Sequence, residues 1–321
     1  MIAVTGATGF LGRHLVSRLA ASGRTVRAIV RPGSRRIPPA EAHGTRFVAL
    51  TDPHLADAFA EADIVVHLAG CVRARAVDEF TRSNAEGTRA VAHAAAAAGA
   101  RLVYVSSLAA AGPAPPAAPR DESDPAAPIT PYGVSKLEGE RAVVETDGLR
   151  WTILRPGVVY GPQDASVLTL FRMADRGLLP LVGRASAAYT FIHIDDTIRA
   201  LEAAIETPID GRVIFVGHAQ PVTARSLVEQ IRAAVGRPAL IVPLPLAVTR
   251  AAAALCELTA QVTGRLLPLD RWRYAELAAA GFVCRVDLMR ELLGVEAEVG
   301  LAEGLARTAA WYRQQGWLRR R

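Results

Sequence analysis

The feature that most constrains this chain is a glycine-rich turn close to its start. Residues 2–5 form a short apolar segment typical of a strand, and residues 5–12 read Thr-Gly-Ala-Thr-Gly-Phe-Leu-Gly before a helical pattern. Gly6 and Gly9 allow a tight turn whose backbone can approach a pyrophosphate, and Gly12 allows close packing of helix and strand. A helix N-terminus also favours negative charge. The sequence therefore predicts a dinucleotide site, with the spacing G-x-x-G-x-x-G.

Strand and helix patterns alternate beyond this turn. The predicted strands lie at residues 2–5, 25–30, 47–50, 63–68, 101–105, 151–154 and 213–216, and the predicted helices include residues 77–98 and one from the turn to about residue 21. Such alternation indicates βαβ units and a parallel sheet. We expect an α/β fold, a Rossmann-type doubly wound parallel sheet with a smaller, mostly helical C-terminal substrate lobe. The predicted NAD(P)-binding domain is 1–168 and 190–218, and the predicted substrate lobe is 169–189 and 219–321.

Composition narrows the class of protein. Hydrophobic residues make up 51% and charged residues 21% of the chain, which predicts a packed globular core. No uncharged apolar run reaches the roughly 20 residues that a membrane span needs, so no transmembrane span is expected. A strand pattern from Ile2 leaves no room for a signal peptide, and three widely spaced cysteines fit a reducing compartment, so we expect a cytoplasmic protein. The seven histidines show no ligand spacing, which predicts no metal site.

The basic balance of the chain comes almost entirely from arginine. The formal net charge is +6, and the basic residues are scattered apart from the Arg35-Arg36 pair and the tail at 319–321. There is no basic stripe interleaved with aromatic residues, so we expect no nucleic-acid partner. Attraction for an anionic cofactor explains the charge better.

The end of the second predicted strand bears on the choice of coenzyme. A carboxylate usually binds the adenosine ribose hydroxyls of NAD, whereas arginine accommodates the 2′-phosphate of NADP. Arg31 occupies this place, with Ser34 and Arg35 close behind. The sequence therefore favours NADP, with NAD as the alternative coenzyme. If Arg31 does not bind a phosphate, it would stack on the adenine or face solvent.

A Tyr-x-x-x-Lys pair, Tyr132 and Lys136, lies at the start of a predicted helix that Thr130 and Pro131 open. Positions four apart share one helix face. Lys136 is the single lysine among 37 basic residues, which suggests a task that arginine cannot perform. A phenol with a reference pKa near ~10 is a poor base at neutral pH, but a nearby ammonium and a positive nicotinamide ring favour the phenolate.

Ser107 follows the predicted strand at residues 101–105. Open α/β sheets bind their ligands at the carboxyl ends of the strands. A hydroxyl at this edge can therefore hydrogen-bond a substrate oxygen beside Tyr132. We interpret Ser107, Tyr132 and Lys136 as the candidate catalytic residues.

Several motifs occur together in one order along the chain. They are Thr-Gly-Ala-Thr-Gly-Phe-Leu-Gly at 5–12, His-Leu-Ala-Gly at 67–70, Asn84, Tyr-Val-Ser-Ser at 104–107, Tyr-Gly-Val-Ser-Lys at 132–136, Leu-Arg-Pro-Gly-Val-Val-Tyr-Gly-Pro at 154–162 and Phe-Ile-His-Ile-Asp-Asp at 191–196. Through them the chain resembles the extended short-chain dehydrogenases, the NAD-dependent epimerase/dehydratase superfamily. A C-terminal pattern from Gly304 to Arg313 extends the resemblance over nearly the whole chain.

The resemblance implies further roles for individual residues. It implies backbone amides of Thr8, Phe10 and Leu11 at the pyrophosphate, Asp52 near the adenine, Leu68 and Ala69 along the cofactor, and Pro156, Val158 and Val159 beside the nicotinamide. Asn84 would brace the region of the catalytic helix, and Asp195 and Asp196 would cap the helix that follows them. The resemblance also implies a homodimer formed by the helices near residues 77–98 and 131–145.

Two departures from the family pattern reduce the number of reactions that the chain could catalyse. Dehydratases of this superfamily have an Asp-Glu pair after the residue that matches Ser107, but Leu108 and Ala109 stand here. Sugar-nucleotide enzymes commonly have a diphosphate-binding arginine where this chain has Tyr189, although Arg184 or Arg172 could substitute. The chain more closely resembles the 3β-hydroxysteroid dehydrogenase-like and dihydroflavonol reductase-like branches.

The segment at residues 239–269 is rich in Leu, Val and Ala and is interrupted only by Arg250, Glu257 and Arg265. It could form an apolar lid, lie against a membrane surface or be an ordinary core helix. The leading hypothesis is an NAD(P)-dependent oxidoreductase that interconverts a secondary alcohol and a ketone on a bulky, apolar small-molecule substrate. The alternatives are a nucleotide-sugar 4-epimerase and a catalytically inactive cofactor-sensing protein.

Overall fold

The computed structural model describes residues 1–263 and 269–319. The strands are β1 Ile2–Thr5, β2 Val26–Val30, β3 Gly44–Phe47, β4 Ile64–His67, β5 Arg101–Val105, β6 Trp151–Pro156, β7 Val158–Tyr160, β8 Leu178–Val182, β9 Ala188–Tyr189, β10 Phe191–His193, β11 Arg212–Val216, β12 Val222–Thr223, β13 Leu240–Leu244 and β14 Gly281–Phe282. Arg265, Arg320 and Arg321, which the sequence analysis singled out, lie outside the described residues.

The helices lie between and after these strands. They are α1 Phe10–Ala21, α2 Leu55–Ala58, α3 Val77–Phe80, α4 Gly87–Ala97, α5 Leu108–Ala111, α6 Pro131–Val144, α7 Leu168–Asp175, α8 Ile194–Glu206, α9 Ala224–Val235, α10 Leu246–Thr263, α11 Arg271–Ala278, α12 Asp287–Leu293 and α13 Leu301–Gln314. A π-helical segment, Thr81–Glu86, joins α3 to α4. Within the described part of the chain, no helix is both long and apolar enough to cross a bilayer.

The central sheet consists of seven described strands in the order β11-β6-β5-β4-β1-β2-β3. Every neighbouring pair is parallel. Adjacent residues of β1 contribute to opposite cores: Ala3 packs with α2 and α4, whereas Val4 packs with α1 and α8. Burial on both faces explains why these strands are apolar without alternation. The predicted α/β, Rossmann-type doubly wound sheet is confirmed.

Two predicted elements have different bounds in the structure. The third strand is Gly44–Phe47 and not residues 47–50, and its last residue, Phe47, has 62% of its surface exposed. β3 is an edge strand, so its ladder does not require apolar residues, and the apolar run 48–50 instead packs Val48 and Leu50 against the core. The predicted helix at 77–98 is interrupted by the π-helical segment, a form frequently found at functional sites.

The C-terminal part forms a second core of its own around α7, α9 and α13. Two small sheets, β12-β9-β14 and β13-β8, accompany these helices. α12 instead packs Met289 and Leu293 into the core of the central sheet. The second lobe is therefore mostly helical, with the short strands added, and the predicted domain boundaries stay a prediction.

Candidate active site

The glycine turn joins β1 to α1 and faces the segment that follows β4. Gly6 has φ of +68°, and a Cβ there would lie 2.6 Å from the Ala69 nitrogen. A Cβ on Gly12 would lie 2.2 Å from the Gly6 carbonyl oxygen, so neither position accepts a side chain without movement. The Gly9 amide donates to the Gly6 carbonyl at 2.8 Å, and α1 begins after Gly9 without a side-chain cap. The positive end of α1 is thus available to a phosphate group.

A buried polar chain holds β1 and β4 together beneath this turn. His67 Nδ1 lies 2.7 Å from Thr5 Oγ1, and His67 Nε2 lies 3.0 Å from Thr88 Oγ1. Burial, with a smaller contribution from the charge of Lys136, lowers the pKa of His67 to about 3. His67 is therefore neutral, and its hydrogen bonds position the backbone of Leu68 and Ala69 opposite the glycine turn.

Lys136 lies on α6, whose start follows the predicted pattern. Thr130 Oγ1 accepts from the Gly133 amide at 3.2 Å, and Pro131 is the first helical residue. Only 4% of the Lys136 surface is exposed, and Nζ donates to the Val105 carbonyl, the last of β5, at 2.8 Å. Desolvation lowers the pKa of Lys136 to about 7, against an opposing effect of Glu140. A nearly dry amine therefore sits at the carboxyl edge of the sheet.

The structure brings Tyr132 and Ser107 together at this edge. Ser107 caps α5, where its Oγ accepts from the Ala109 amide at 3.2 Å, and its side chain also hydrogen-bonds the Tyr132 phenol. Burial raises the pKa of Tyr132 to about 12, and the Ser107 hydrogen bond acts in the opposite direction. The expectation that the neighbouring ammonium lowers the phenol pKa is wrong for the protein's own side chains. Burial has the largest effect on the pKa of this phenol, and Lys136 is itself desolvated and donates to Val105.

Asn84 connects the loop after β4 to α6 from within the π-helical segment. Its Nδ2 donates to the Cys71 carbonyl and to Ser135 Oγ, both at 2.9 Å, while its Oδ1 accepts from the Cys71 amide at 2.7 Å. Asn84 is fully buried. The bond to Ser135 ties α6 to this segment and the two bonds to Cys71 tie the loop after β4 to it, an arrangement that fits the bracing role implied by the resemblance.

Sequence reasoning missed an ion pair behind Lys136. Glu140, one turn further along α6, forms hydrogen bonds of 2.9 and 2.6 Å with Arg155 of β6 and also accepts one from Ser106 Oγ. Glu140 and Arg155 are 4% and 6% exposed. The available signal was a third polar residue on the same helix face, because Tyr132, Lys136 and Glu140 are spaced by four.

Sequence reasoning also missed an aromatic wall beside the phenol. The Phe80 ring centroid lies 6.0 Å from that of Tyr132 and 5.6 Å from that of Trp272. Trp272 comes from α11, 140 residues after Tyr132, so no local pattern in the chain could have indicated the contact. Phe80 and Trp272 define what we call the aromatic wall.

The NAD dependent epimerase/dehydratase family is matched over residues 2–217 of the chain. The chain belongs to this family. It is an enzyme of the extended short-chain dehydrogenase type within the NAD-dependent oxidoreductases and epimerases.

Similar proteins cover nearly all of this epimerase/dehydratase family member. Ceramide reductase of Caulobacter vibrioides is 33% identical over 99% of this chain and 96% of its own. UDP-glucose 4-epimerase of Mycolicibacterium smegmatis is 30% identical over 97% of this chain and 98% of its own. The structure of MoeE5 in complex with UDP-glucuronic acid and NAD superposes with a TM-score of 0.80, at 26% identity, over 98% of this chain and 99% of the other.

The other predicted coenzyme residues of this family member lie within residues 8–159. Thr8 lies in the glycine turn, Phe10 and Leu11 begin α1, and Val158 and Val159 begin β7, one residue after Pro156 ends β6. Arg31 and Arg35 are exposed after β2. Asp52 uses Oδ1 to accept from the His54 amide at 2.8 Å, so its carboxylate also orders the turn before α2.

The predicted capping by Asp195 and Asp196 is wrong in detail. The N-cap of α8 is His193, whose Nδ1 accepts from the Asp195 amide at 3.3 Å. Asp196 accepts from the Val299 amide at 2.9 Å, and Asp195 pairs with Arg307 at 3.2 Å. Both acids lie in the first turn of the helix, where negative charge is favourable.

Tyr189, Arg172 and Arg184 are the positions that the sequence analysis considered for a sugar diphosphate. Tyr189 is half-buried near Arg273 and Glu276, with its pKa raised mainly by burial. Arg172 donates to the Trp317 carbonyl at 3.4 Å, which directs it toward the chain end beyond α13. Arg184 is exposed.

Proposed function

We propose that this protein transfers hydride between NADP(H) and a secondary alcohol or ketone on a bulky, apolar substrate. The main support is that Ser107 and Tyr132 lie together at the sheet edge, directly beside the aromatic wall of Phe80 and Trp272. Aromatic side chains present large apolar surfaces to a ligand. The similarity to ceramide reductase, whose name states a reaction of the same type, supports the proposal.

The proposed roles follow from the protonation states of these groups. In the reductive direction, Tyr132 donates its phenolic proton to the carbonyl oxygen, and Ser107 donates a hydrogen bond to the same oxygen. With its pKa at about 12, Tyr132 holds this proton throughout the neutral range. Bound NADPH supplies the hydride that reaches the carbonyl carbon. Tyr132 then regains a proton from solvent, so that the alcohol gains one hydride and one proton.

Lys136 has the proposed role of holding the coenzyme ribose and adjusting Tyr132. Its Nζ is anchored on Val105, and a Cβ built on Gly70 would lie 3.9 Å from it, beside the backbone that faces the glycine turn. A pKa near 7 allows the amine to take up and release a proton at physiological pH. A compact ammonium suits this confined place better than a guanidinium.

The preference for NADP is supported by the side chains after β2. Arg31 and Arg35 are exposed, and arginine pairs well with a phosphate. Replacing Arg31 by Asp should lower the ratio of kcat/KM for NADPH over NADH by about tenfold, because a charge-assisted contact is lost and a like charge is added. Arg24→Asp, an exposed arginine before β2, is the matched control. An unchanged ratio would remove Arg31 from the coenzyme site.

The substrate class can be tested with a turnover panel. Purified protein is incubated with NADPH or NADH and ketones of increasing chain length, and coenzyme oxidation is followed at its absorbance maximum. We expect consumption that rises with the apolar length of the ketone. The proposal fails if no ketone is consumed while UDP-sugars are interconverted without added coenzyme.

A nucleotide-sugar 4-epimerase is the second candidate. The similarity to UDP-glucose 4-epimerase favours it, and Tyr189 in place of the diphosphate arginine disfavours it. Such an enzyme removes and returns hydride within one active site, so it retains its coenzyme. NAD released from the heat-denatured protein, together with calorimetric binding of UDP or dTDP, would select this candidate.

Three further expectations stay predictions. They are the division into a coenzyme domain, 1–168 and 190–218, and a substrate lobe, 169–189 and 219–321; the homodimer through the helices at 77–98 and 131–145; and the cytoplasmic location. Limited proteolysis, light scattering and cell fractionation test them in turn.

A further inference from the structure

Helix α10 presents an apolar face to solvent. Val248, Leu255 and Leu258 are 52%, 65% and 59% exposed, and alanines 247, 251 and 254 on the same side are exposed too. The opposite side packs inward through Thr249 and Ala253, both 3% exposed. Steps of three, four and seven residues place the exposed set on one face of the helix. We call this set the α10 face.

The charges around the α10 face are arranged with arginine outward. Arg250 is the exposed charged residue of α10 within its described side chains. On the neighbouring α11, Arg271 and Arg273 are 68% and 61% exposed, whereas their partners Glu257 and Glu276 are 34% and 21% exposed. The two carboxylates are therefore less exposed to solvent than the guanidinium groups that pair with them. An apolar stripe flanked by cations is complementary to an anionic lipid surface.

The α10 face also connects with the candidate active site. α10 packs against α11, whose Trp272 ring touches Phe80, and Phe80 touches Tyr132. The apolar surface is thus one helix away from the catalytic phenol. A substrate that leaves an acyl-chain environment beside α10 would meet the aromatic wall next.

We propose that the α10 face docks on a phospholipid bilayer with anionic headgroups and that the apolar substrate enters from there. The proposed partner is a bilayer surface, because one side of α10 is packed on protein and only the other side is free to enter lipid. The proposal rests on the apolar substrate class of the proposed function. It adds the place from which that substrate is taken.

Co-sedimentation of the full chain with vesicles tests the docking. Vesicles of phosphatidylcholine and phosphatidylglycerol are compared with vesicles of phosphatidylcholine alone, with wild type and Leu255→Glu/Leu258→Glu. We expect the double variant to partition at least about tenfold more weakly, because two exposed leucines no longer enter the acyl region. The control Ile37→Glu/Phe47→Glu adds the same charge at exposed apolar residues of the coenzyme half and should bind as wild type does.

A milder variant covers the case in which the double variant misfolds. Arg250→Gln removes one exposed charge and should weaken binding to the anionic vesicles about fivefold, with little effect on neutral ones. The proposal is overturned if wild type stays in the supernatant. It is also overturned if the substitutions leave partitioning unchanged, or if they only convert an oligomer into a monomer in light scattering, which would make the α10 face a contact between copies.

Turnover of short, water-soluble ketones separates this proposal from the proposed function. The α10 variants should keep wild-type kcat and KM for them. If wild type reduces such ketones but ignores vesicles, the docking proposal fails and the reaction stands. If it binds vesicles and reduces no ketone, the reaction fails.

Discussion

The two sides of the candidate site are built differently. The proposed coenzyme side consists of buried residues, among them Thr5 and His67 at the ends of β1 and β4 and Lys136 and Glu140 on α6, all almost completely shielded from water. The proposed substrate side includes α10 and α11, and α10 exposes large apolar side chains. Buried polar networks specify one arrangement, whereas a peripheral pair of helices can vary without loss of the fold. In the proposed function, the reacting groups therefore lie in the buried part of the site and the substrate contacts lie where substitutions are tolerated.

The largest expected effect follows from removing the phenolic oxygen of Tyr132. Tyr132→Phe should lower kcat by at least about 100-fold, because the proton donor is removed, while coenzyme affinity stays unchanged. Steady-state kinetics and a fluorescence titration with NADPH measure the two quantities. Tyr274→Phe, which removes a hydroxyl on α11, should retain turnover. Activity in Tyr132→Phe equal to that in the control would refute the assignment of the acid.

The next effect concerns stability on the same side. Glu140→Gln leaves Arg155 buried without its counter-charge and should lower the free energy of unfolding by about 3–5 kcal/mol. Glu145→Gln, directly after the last residue of α6, breaks an exposed pair with Arg89 of α4 and should cost at most about 1 kcal/mol. Denaturant titration of both variants gives the comparison. Equal losses would mean that the buried pair contributes no more than a surface one.

A substitution on α11 should change substrate affinity more than it changes stability. Trp272→Ala opens the aromatic wall and should raise KM for long-chain ketones about tenfold, since one aromatic surface is lost to the substrate. We expect KM for short, soluble ketones to remain within about twofold of wild type and the unfolding free energy to change less than in Glu140→Gln. Parallel increases in KM for both substrates would place Trp272 in general support of the site.

The last expected effect is a dependence of stability on pH. The pKa of Lys136 is lowered by burial to about 7, so between pH 7 and its unfolded value the unfolded chain binds the extra proton. The penalty for burying the ammonium is complete below pH 7 and is relieved as pH rises. Relative to Lys136→Met, wild type should therefore gain stability with a slope of at most about 1.4 kcal/mol per pH unit above pH 7. Unfolding curves from pH 6 to 10 test this, and a flat difference would contradict it.

The sequence alone determined the parts of this protein that depend on neighbours in the chain. The glycine turn, the buried strands, the Thr130–Pro131 helix start and the Tyr132–Lys136 pair each follow from spacing within a few residues. Backbone conformation and helix periodicity act at that range, so the patterns are legible before folding. The edge strand β3 was misplaced because an exposed ladder leaves no apolar signature.

Only the tertiary structure decided which distant groups meet. It joined Phe80 to Trp272, paired Glu140 with Arg155, turned the α10 face outward and gave Tyr132 a raised pKa where local reasoning expected a lowered one. Contacts across the chain and the loss of water around a group depend on how elements pack. The sequence shows that a positive charge lies four residues from Tyr132. The net shift of the Tyr132 pKa also depends on how much water folding removes from around the phenol.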